Sequence, residues 1–243
     1  MRILLMTPTV NDDERRPDVI GSSKSKLWNR VRDRFGFTPG ITPSYGLLYL
    51  SAALKKAGHE TFYLDGNITS IDQVLTCIST QNIEVVGVST LTFNWQRAKI
   101  NIKTIKDIFP VVKIIIGGIN ATCLLEKCLE ESPETDLLVY GEGEESIVEL
   151  VNRLENKTEL NGTLGTLYRS NGNIIKNPPY PVNKNLDNLP FPDLEVLGKN
   201  IDRYRPAPMF YKKLPHASIL VQEDARLSVL LSVRSCGAQA GSA

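Results

Sequence analysis

The sequence lacks a long hydrophobic run. No segment approaches the roughly 20 apolar residues of a membrane-spanning helix, and the stretch Met1–Pro8 is too short for a signal-peptide core. It also lacks an excess of charge of either sign, because its 243 residues carry a formal net charge of +1. No global field therefore favours nucleic acid or an anionic membrane. These absences predict a soluble cytoplasmic protein with neither as a partner.

Cysteine and histidine are also scarce. The four cysteines are Cys77, Cys123, Cys128 and Cys236. None forms a C-x-x-C pair, so we expect no metal site and no redox pair, and we interpret the first three as buried small apolar residues. The two histidines are His59 and His216. His59 comes just before a predicted strand and is interpreted as a structural residue at the amino end of that strand.

Apolar runs alternate five times with segments of helical periodicity over residues 1–157. The predicted strands are Arg2–Thr7, Glu60–Asp65, Val85–Ser89, Val112–Ile116 and Leu137–Tyr140. The predicted helices cover about 47–57, 71–81, 95–109 and 121–131, with a last one that begins after 143. Thr92 or Asn94 is the expected N-cap of the third helix. This alternation predicts an α/β fold with a doubly wound, mainly parallel five-stranded sheet, of the Rossmann-like and flavodoxin-like kind.

The pattern changes after this domain. In 158–221 we expect a small β-hairpin, Gly165–Arg169 with Asn173–Lys176, followed by a proline-rich extended linker. Residues 222–243 have no turn chemistry and end in small residues. Within the first domain, the connection 9–43 is long, basic and interleaved with aromatic residues. It is either a solvated mobile loop or a lid that folds over a ligand or docks a neighbouring domain.

Two strand-to-helix turns are the candidate binding site. Gly117 and Gly118 follow the fourth strand, and Gly141-Glu142-Gly143-Glu144 follows the fifth. Neither G-x-G-x-x-G after the first strand nor G-x-x-x-x-G-K-[ST] is present, which argues against dinucleotides and nucleoside triphosphates. The glutamates suit a helix amino terminus but would repel a pyrophosphate. They either serve only as helix-start charges or face a large, largely neutral ligand with hydrogen-bonding edges.

The ordered series of motifs resembles the cobalamin-binding amino-terminal part of the cobalamin-dependent radical SAM enzymes. It consists of P-S-Y-G-L-L-Y-L-S-A-A-L-K-K-A-G-H-E-T, V-V-G-V-S-T-L-T, I-I-I-G-G-I-N-A-T, D-L-L-V-Y-G-E-G-E-E-S and D-N-L-P-F-P, over about residues 1–220. The wider cobalamin-binding family carries D-x-H-x-x-G, S-x-L and G-G. Ser89-Thr90-Leu91 and Gly117-Gly118 match the last two motifs, whereas the first is missing, since Asp12 and Asp13 have no histidine after them.

The resemblance implies cobalamin bound with its benzimidazole tail displaced from cobalt and no protein histidine as axial ligand. It implies that Ser89, Thr90 and Leu91 line the tail pocket, that the glycine pair lets the nucleotide loop pass, and that the acidic turn contacts the amides of the corrin ring. The implied cofactor-binding residues are Thr7, Pro8, Ser89, Thr90, Leu91, Thr92, Gly117, Gly118, Asn120, Tyr140, Gly141, Glu142, Gly143 and Glu144.

The resemblance further implies a cobalamin module of a radical SAM methyltransferase. Methylcobalamin would supply a methyl group to a substrate radical, while S-adenosylmethionine and a [4Fe-4S] cluster would belong to a radical SAM barrel missing from this chain, which alone would not be catalytic. Codons for Gln222–Val229 can be chosen so that another frame reads Arg-Gly-Cys-Pro-Phe-Lys-Cys, so we expect 222–243 to be an aberrant tail that results from a frameshift or from a miscalled terminus. The alternatives are a stand-alone cobalamin carrier and a flavodoxin-like binding or signalling module without cobalamin.

Overall fold

A seven-stranded sheet with helices on both faces is the centre of the computed structural model, which describes residues 1–10, 40–181, 189–204, 219–223 and 227–231. The sheet lies in one compact unit of the chain, and a two-stranded hairpin belongs to a second unit. Within the described residues, no helix is long and apolar enough to cross a membrane.

The elements follow the alternation that the sequence predicts. The strands of the sheet are β1 (Arg2–Met6), β2 (Glu60–Leu64), β3 (Val85–Ser89), β4 (Lys113–Gly117), β5 (Leu137–Val139), β6 (Thr166–Ser170) and β7 (Asn173–Lys176). The helices are α1 (Tyr45–Lys56), α2 (Ile71–Thr80), α3 (Trp95–Ile108), α4 (Ile119–Leu124), α5 (Glu126–Glu131) and α6 (Glu144–Glu155). Short 3₁₀ segments cover Thr92–Asn94 and Glu195–Arg203, the second interrupted at Gly198.

The strand order is β2-β1-β3-β4-β5-β6-β7. The first five strands are mutually parallel, which confirms the doubly wound parallel sheet, whereas β6 and β7 pair antiparallel. The predicted hairpin therefore does not stand apart from the domain, because it continues the sheet. Leu167 pairs with Leu138 and is fully buried, so the hairpin covers what would otherwise be an exposed sheet edge.

Different helices pack against the two faces of the sheet. Leu4, Val86 and Ile114 pack with Ile102 of α3 and Val74 of α2 in one apolar core. The residues between them along the strands point to the opposite face, where α1 and α6 lie. Both faces are covered, which is why β1, β3 and β4 are nearly unbroken apolar runs rather than alternating ones.

Two local predictions are wrong and one is confirmed. The helix expected over 121–131 breaks into α4 and α5 at Leu125, whose φ of +49° cannot continue a right-handed helix. Asn94 is the N-cap residue of α3 as predicted, although its side chain makes no capping bond, because its Oδ1 accepts from the Leu91 amide instead. Cys123 is exposed, since it lies two positions beyond the buried Ala121 and so on another side of α4. Cys128 is buried as predicted, and Cys77 is half-buried.

Several predicted features lie outside the described residues. They are most of the long basic connection (11–39), part of the proline-rich linker (182–188), His216, Cys236 and most of the carboxyl-terminal tail. Within that tail, β9 (Leu227–Leu231) pairs antiparallel with β8 (Ile219–Glu223). The described parts of the linker, 177–181 and 189–192, contain neither helix nor strand.

The segment after the linker is fastened to α1 through Asp193. Its Oδ2 accepts a hydrogen bond from Ser51 Oγ at 2.6 Å and pairs with Lys55 Nζ at 2.7 Å, while its amide donates to the Leu48 carbonyl at 3.1 Å. Burial raises the pKa of the Asp193 carboxyl, but the bonds from Lys55 and Ser51 outweigh burial and hold the pKa below its ordinary value. The charged carboxylate therefore stabilises the position of this segment on α1.

We expect Asp193→Asn to lower the free energy of unfolding by about 1 to 3 kcal/mol at pH 7, because two charge-assisted bonds are lost. The lowered pKa means that wild-type stabilisation is complete above the ordinary aspartate pKa of about 3.9 and fades as pH falls through the folded-state value. Urea unfolding at several pH values measures the difference. Asp107→Asn, an exposed i,i+4 partner of Lys103, is the control. Equal losses in both variants, or a loss independent of pH, would contradict this assignment.

Candidate functional site

The carboxyl edge of the sheet is where its chain order reverses. β1 lies between β2 and β3, so the connections after β1 and β3 run in opposite directions along the sheet. In open α/β sheets such a switch point leaves a crevice at the carboxyl ends of the strands, which is the usual ligand position. The two predicted turns, after β4 and β5, open at this same edge.

Thr90 fixes the turns after β3 and β4 to each other. Its amide and its Oγ1 both donate to the Gly117 carbonyl, at 2.7 Å and 2.8 Å, and its own carbonyl accepts from the Asn120 amide at 3.2 Å. Thr90 and Asn120 are both buried. Gly118 lies between them with a φ of +96°, and a Cβ there would stand 2.7 Å from the Thr90 carbonyl oxygen. Only glycine fits this turn.

A cavity of about 300 Å³ lies beneath the turns, on the face of the sheet that α1 and α6 cover. Leu5, Gly87 and Ile115, neighbours across β1, β3 and β4, form its floor. Leu47 and Leu50 of α1 and Ile147 of α6 form its walls. The rest of the lining consists of Gly46, Val88, Ser89, Ile116, Gly117, Gly118, Val139, Gly141, Glu142, Gly143 and Glu144.

Gly87 is why the cavity reaches the sheet. It is the middle residue of a buried strand, a position where glycine weakens the strand unless something approaches closely. A Cβ at Gly87 would meet Leu5 Cδ2 at 2.8 Å, so any side chain there would displace Leu5. The floor thus consists of Gly87, which has no side chain, and of the aliphatic side chains of Leu5 and Ile115.

The acidic turn after β5 borders the mouth of the cavity. Gly141 has a φ of +75°, and its amide donates to Thr122 Oγ1 at 3.1 Å. Burial raises the pKa of the Glu144 carboxyl, amide donors at Glu144 and Gly143 oppose the rise, and repulsion from Glu142 and Glu145 adds to it. The turn therefore holds a partly buried carboxyl group whose pKa lies above its ordinary value.

Seven of the fourteen predicted site residues line the cavity: Ser89, Gly117, Gly118, Gly141, Glu142, Gly143 and Glu144. The structure does not place Thr90 and Leu91 on it, because Thr90 bonds the neighbouring turn and the Leu91 amide donates to Asn94. Asn120 is buried behind the turn. Thr92, in the 3₁₀ segment, is exposed.

Three other predicted residues, Thr7, Pro8 and Tyr140, also lie away from the cavity lining. Thr7 Oγ1 donates to Asp65 Oδ1 at 3.0 Å and accepts from the Gly66 amide, and Pro8 next to it is buried. The Tyr140 hydroxyl donates to the Asn177 carbonyl at 2.7 Å, which turns this side chain into the core. None of the three lines the cavity, although all follow strands at the carboxyl edge.

His59 lies at the opposite edge of the sheet, as predicted. It is 5% exposed, its Nε2 contacts Asn152 Oδ1 at 3.0 Å, and its Nδ1 contacts the amino terminus at 3.3 Å. Among the residues that the structure describes, no three His, Cys, Asp or Glu side chains are grouped to hold a metal ion. The donor set at the carboxyl edge suits an organic group: glycine turns, aliphatic walls and two carboxylates.

Neither the floor nor the walls of the cavity were predicted from the sequence. Leu47 and Leu50 belong to the predicted apolar stripe of α1, yet periodicity does not reveal that this stripe faces a cavity. The glycine within V-V-G-V-S was an available indication, because an interior strand glycine often marks a close approach.

Comparisons with known proteins converge on this region. Residues 35–151 match the family model of the B12 binding domain. An uncharacterized methyltransferase of Pyrococcus horikoshii is 32% identical over 166 residues, which are 67% of this chain and 35% of that protein. An anaerobic magnesium-protoporphyrin IX monomethyl ester cyclase of Rubrivivax gelatinosus is 28% identical over 165 residues, 65% of this chain and 30% of the cyclase. The chain thus spans about a third of the length of these relatives.

Solved structures share the fold. The cobalamin-dependent S-adenosylmethionine radical enzyme OxsB, with aqua-cobalamin and S-adenosylmethionine bound, matches with a TM-score of 0.61 at 19% identity, over 81% of this chain and 24% of OxsB. The radical S-adenosylmethionine methyltransferase TsrM of Kitasatospora setae matches with a TM-score of 0.53 at 18% identity, over 74% of this chain and 30% of TsrM.

We expect Gly118→Ala to destabilise the fold by about 1 to 3 kcal/mol, since both its φ and the nearby Thr90 carbonyl exclude a Cβ. Gly117→Ala is the matched control: its Cβ would meet the Val139 carbonyl at 3.5 Å, an ordinary contact. Thermal unfolding followed by circular dichroism compares the two. Equal stability of both variants would show that Thr90 does not fix the turn as described.

We expect Glu144→Gln to stabilise the ligand-free protein at pH 7. A raised folded-state pKa stabilises the fold below the ordinary glutamate pKa of about 4.3, and this contribution is lost as pH rises through the folded-state value. The amide stays neutral throughout, so the advantage of the variant should shrink as pH falls. Urea unfolding at pH 4 and pH 7 measures it, with the exposed Glu130→Gln as control. A variant less stable than wild type at pH 7 would contradict the described environment of Glu144.

Proposed function

We propose that the chain binds cobalamin and presents methylcobalamin to a radical SAM catalytic domain for methyl transfer. The match of residues 35–151 to the B12 binding domain and the fold shared with OxsB and TsrM support this proposal. The observation that carries the proposal is the cavity of about 300 Å³ at the switch point of the sheet, which we call the slot. It opens beneath the Gly117-Gly118 and Gly141–Glu144 turns. Both turns and all lining residues of the slot except Leu5 of β1 lie within the matched residues.

The cavity is large enough for only one part of the cofactor. At about 300 Å³ it is at the lower end of small-molecule pockets, so it has room for the flat base of the nucleotide tail but not for a corrin ring. In the proposed arrangement the base enters between α1 and α6, and the ring lies outside across the carboxyl edge. Ser89, Gly117 and Gly118 border the passage between these two positions.

The acidic turn suits the rim of the corrin. The side chains of the ring end in primary amides, which donate hydrogen bonds to carboxylates and backbone carbonyls. Glu142 and Glu144 border the mouth of the slot and can accept such bonds. The same carboxylates disfavour a nucleoside diphosphate or a flavin phosphate, which counts against a flavodoxin-like module that works without cobalamin.

The chain's own contribution is binding and positioning. The cofactor, when bound, supplies a cobalt-held methyl group. A tail base held in the slot would not be available to cobalt, and among the described residues the one histidine, His59, lies at the opposite edge of the sheet. We therefore propose binding without a protein histidine on cobalt.

The catalytic partner is proposed from the relatives. The chain corresponds to about a third of its curated relatives and a quarter of OxsB, an S-adenosylmethionine radical enzyme. We propose that S-adenosylmethionine and a [4Fe-4S] cluster act in a radical SAM domain and that residues 158–221 lead towards it. A carrier that serves a separate enzyme is the second arrangement compatible with the slot.

Adding hydroxocobalamin to the purified chain, removing free cofactor by desalting and recording the visible spectrum tests the proposal. We expect near-stoichiometric cobalamin with wild type and at least tenfold less with Gly117→Val, whose side chain would enter the mouth of the slot. Asn173→Val, on the exposed start of β7, is the control and should retain cobalamin. A colourless wild-type protein with a folded circular dichroism spectrum would overturn the proposal.

A further inference from the structure

The slot changes from apolar to polar between its floor and its mouth. Among the described residues that line it, the hydrogen-bonding side chains are Ser89, Glu142 and Glu144. Ser89 ends β3, Glu142 lies in the turn after β5, and Glu144 is the first residue of α6. The floor lies two residues deeper along β3, at Gly87, which is about 6.6 Å below Ser89 at the rise of a β-strand.

The backbone at the floor offers no hydrogen bonds either. Gly87 pairs with Leu5 on one side and with Ile115 on the other, so the amides and carbonyls of this strand are used in the parallel ladders. The walls at this depth are Leu47, Leu50 and Ile147. A group that reaches the floor therefore meets only aliphatic carbon and saturated backbone.

We propose that this slot makes the chain selective for the lower base of the corrinoid, accepting an apolar benzimidazole and rejecting a purine; the inference rests on the proposed cobalamin function. A dimethylbenzimidazole presents methyl groups and fused-ring carbon to the floor. An adenine presents an exocyclic amine and ring nitrogens that would lose water and find no partner. Burying one such group unpaired weakens binding about tenfold or more.

Gly87 sets how deep the base can go. A methyl group at this position would approach Leu5 Cδ2 to 2.8 Å, and Leu5 also lines the slot. Since the end of a leucine side chain can rotate, Gly87→Ala should fold, with Leu5 turned into the space that the base would occupy. Gly87 is thus a specificity-determining residue that acts by leaving volume empty.

Three corrinoids test the inference on the full chain by visible-absorbance titration: cobalamin, its adenine-containing analogue, and cobinamide, which has no nucleotide tail. We expect cobalamin to bind at least tenfold more tightly than the adenine form. Because benzimidazole is the better cobalt ligand and costs more to displace, each affinity is first corrected by the base-displacement equilibrium of the free corrinoid, measured from the pH dependence of its visible spectrum. Equal corrected affinities, or tighter corrected binding of the adenine form, would overturn the inference.

Two variants test whether Gly87 and Leu50 cause the preference for cobalamin over its adenine analogue. Gly87→Ala should weaken cobalamin at least tenfold and leave cobinamide within twofold, because only the tail reaches the floor. Leu50→Gln places an amide in the wall and should narrow the preference for cobalamin over the adenine form. A Gly87→Ala protein that loses all corrinoids equally, or a Leu50→Gln protein with an unchanged preference, would place the base elsewhere.

The same titrations separate this inference from the proposed function. Binding of cobalamin and the adenine form with equal affinity would leave cobalamin binding intact while removing base selectivity. Failure to bind any of the three corrinoids would remove the proposed function itself.

Discussion

The hydrogen bonds from Thr90 to the Gly117 carbonyl are the constraint on which the carboxyl edge of the sheet depends. They join the ends of β3 and β4, leave no room for a side chain at Gly118, and so determine the path of the turn above the slot. Thr90 itself is buried and does not line the slot. Its part is to position the backbone that does, so a residue of the S-x-L motif shapes the slot without lining it.

A gradient of polarity follows from this arrangement. Aliphatic side chains and a strand glycine form the floor, whereas the mouth carries glycine turns and two carboxylates. A ligand that matches must be apolar at one end and rich in hydrogen-bond donors at the other, and it must carry little negative charge near the fifth strand. Dinucleotides fail on the last point, since their pyrophosphate would face Glu142 and Glu144.

Patterns of apolar residues were sufficient to predict the five parallel strands, because strands buried on both faces read as continuous runs such as Val85–Ser89. They were insufficient where the outcome depended on tertiary pairing. The hairpin 166–176 reads as an isolated turn and strand pair, yet Leu167 is buried only because β6 adds to β5. Similarly, no proline or glycine near Leu125 indicates in the sequence that the helix breaks there. The site was half predictable for the same reason: turn glycines are visible in the sequence, but a cavity is a property of packing.

The most direct measurement is a crystal structure of the chain with hydroxocobalamin bound. We expect the benzimidazole base between α1 and α6, above Gly87 and beside Leu5, with the corrin ring at the carboxyl edge and no histidine on cobalt. A base that remains on cobalt, or one that lies against the α2 and α3 face of the sheet, would contradict this binding mode.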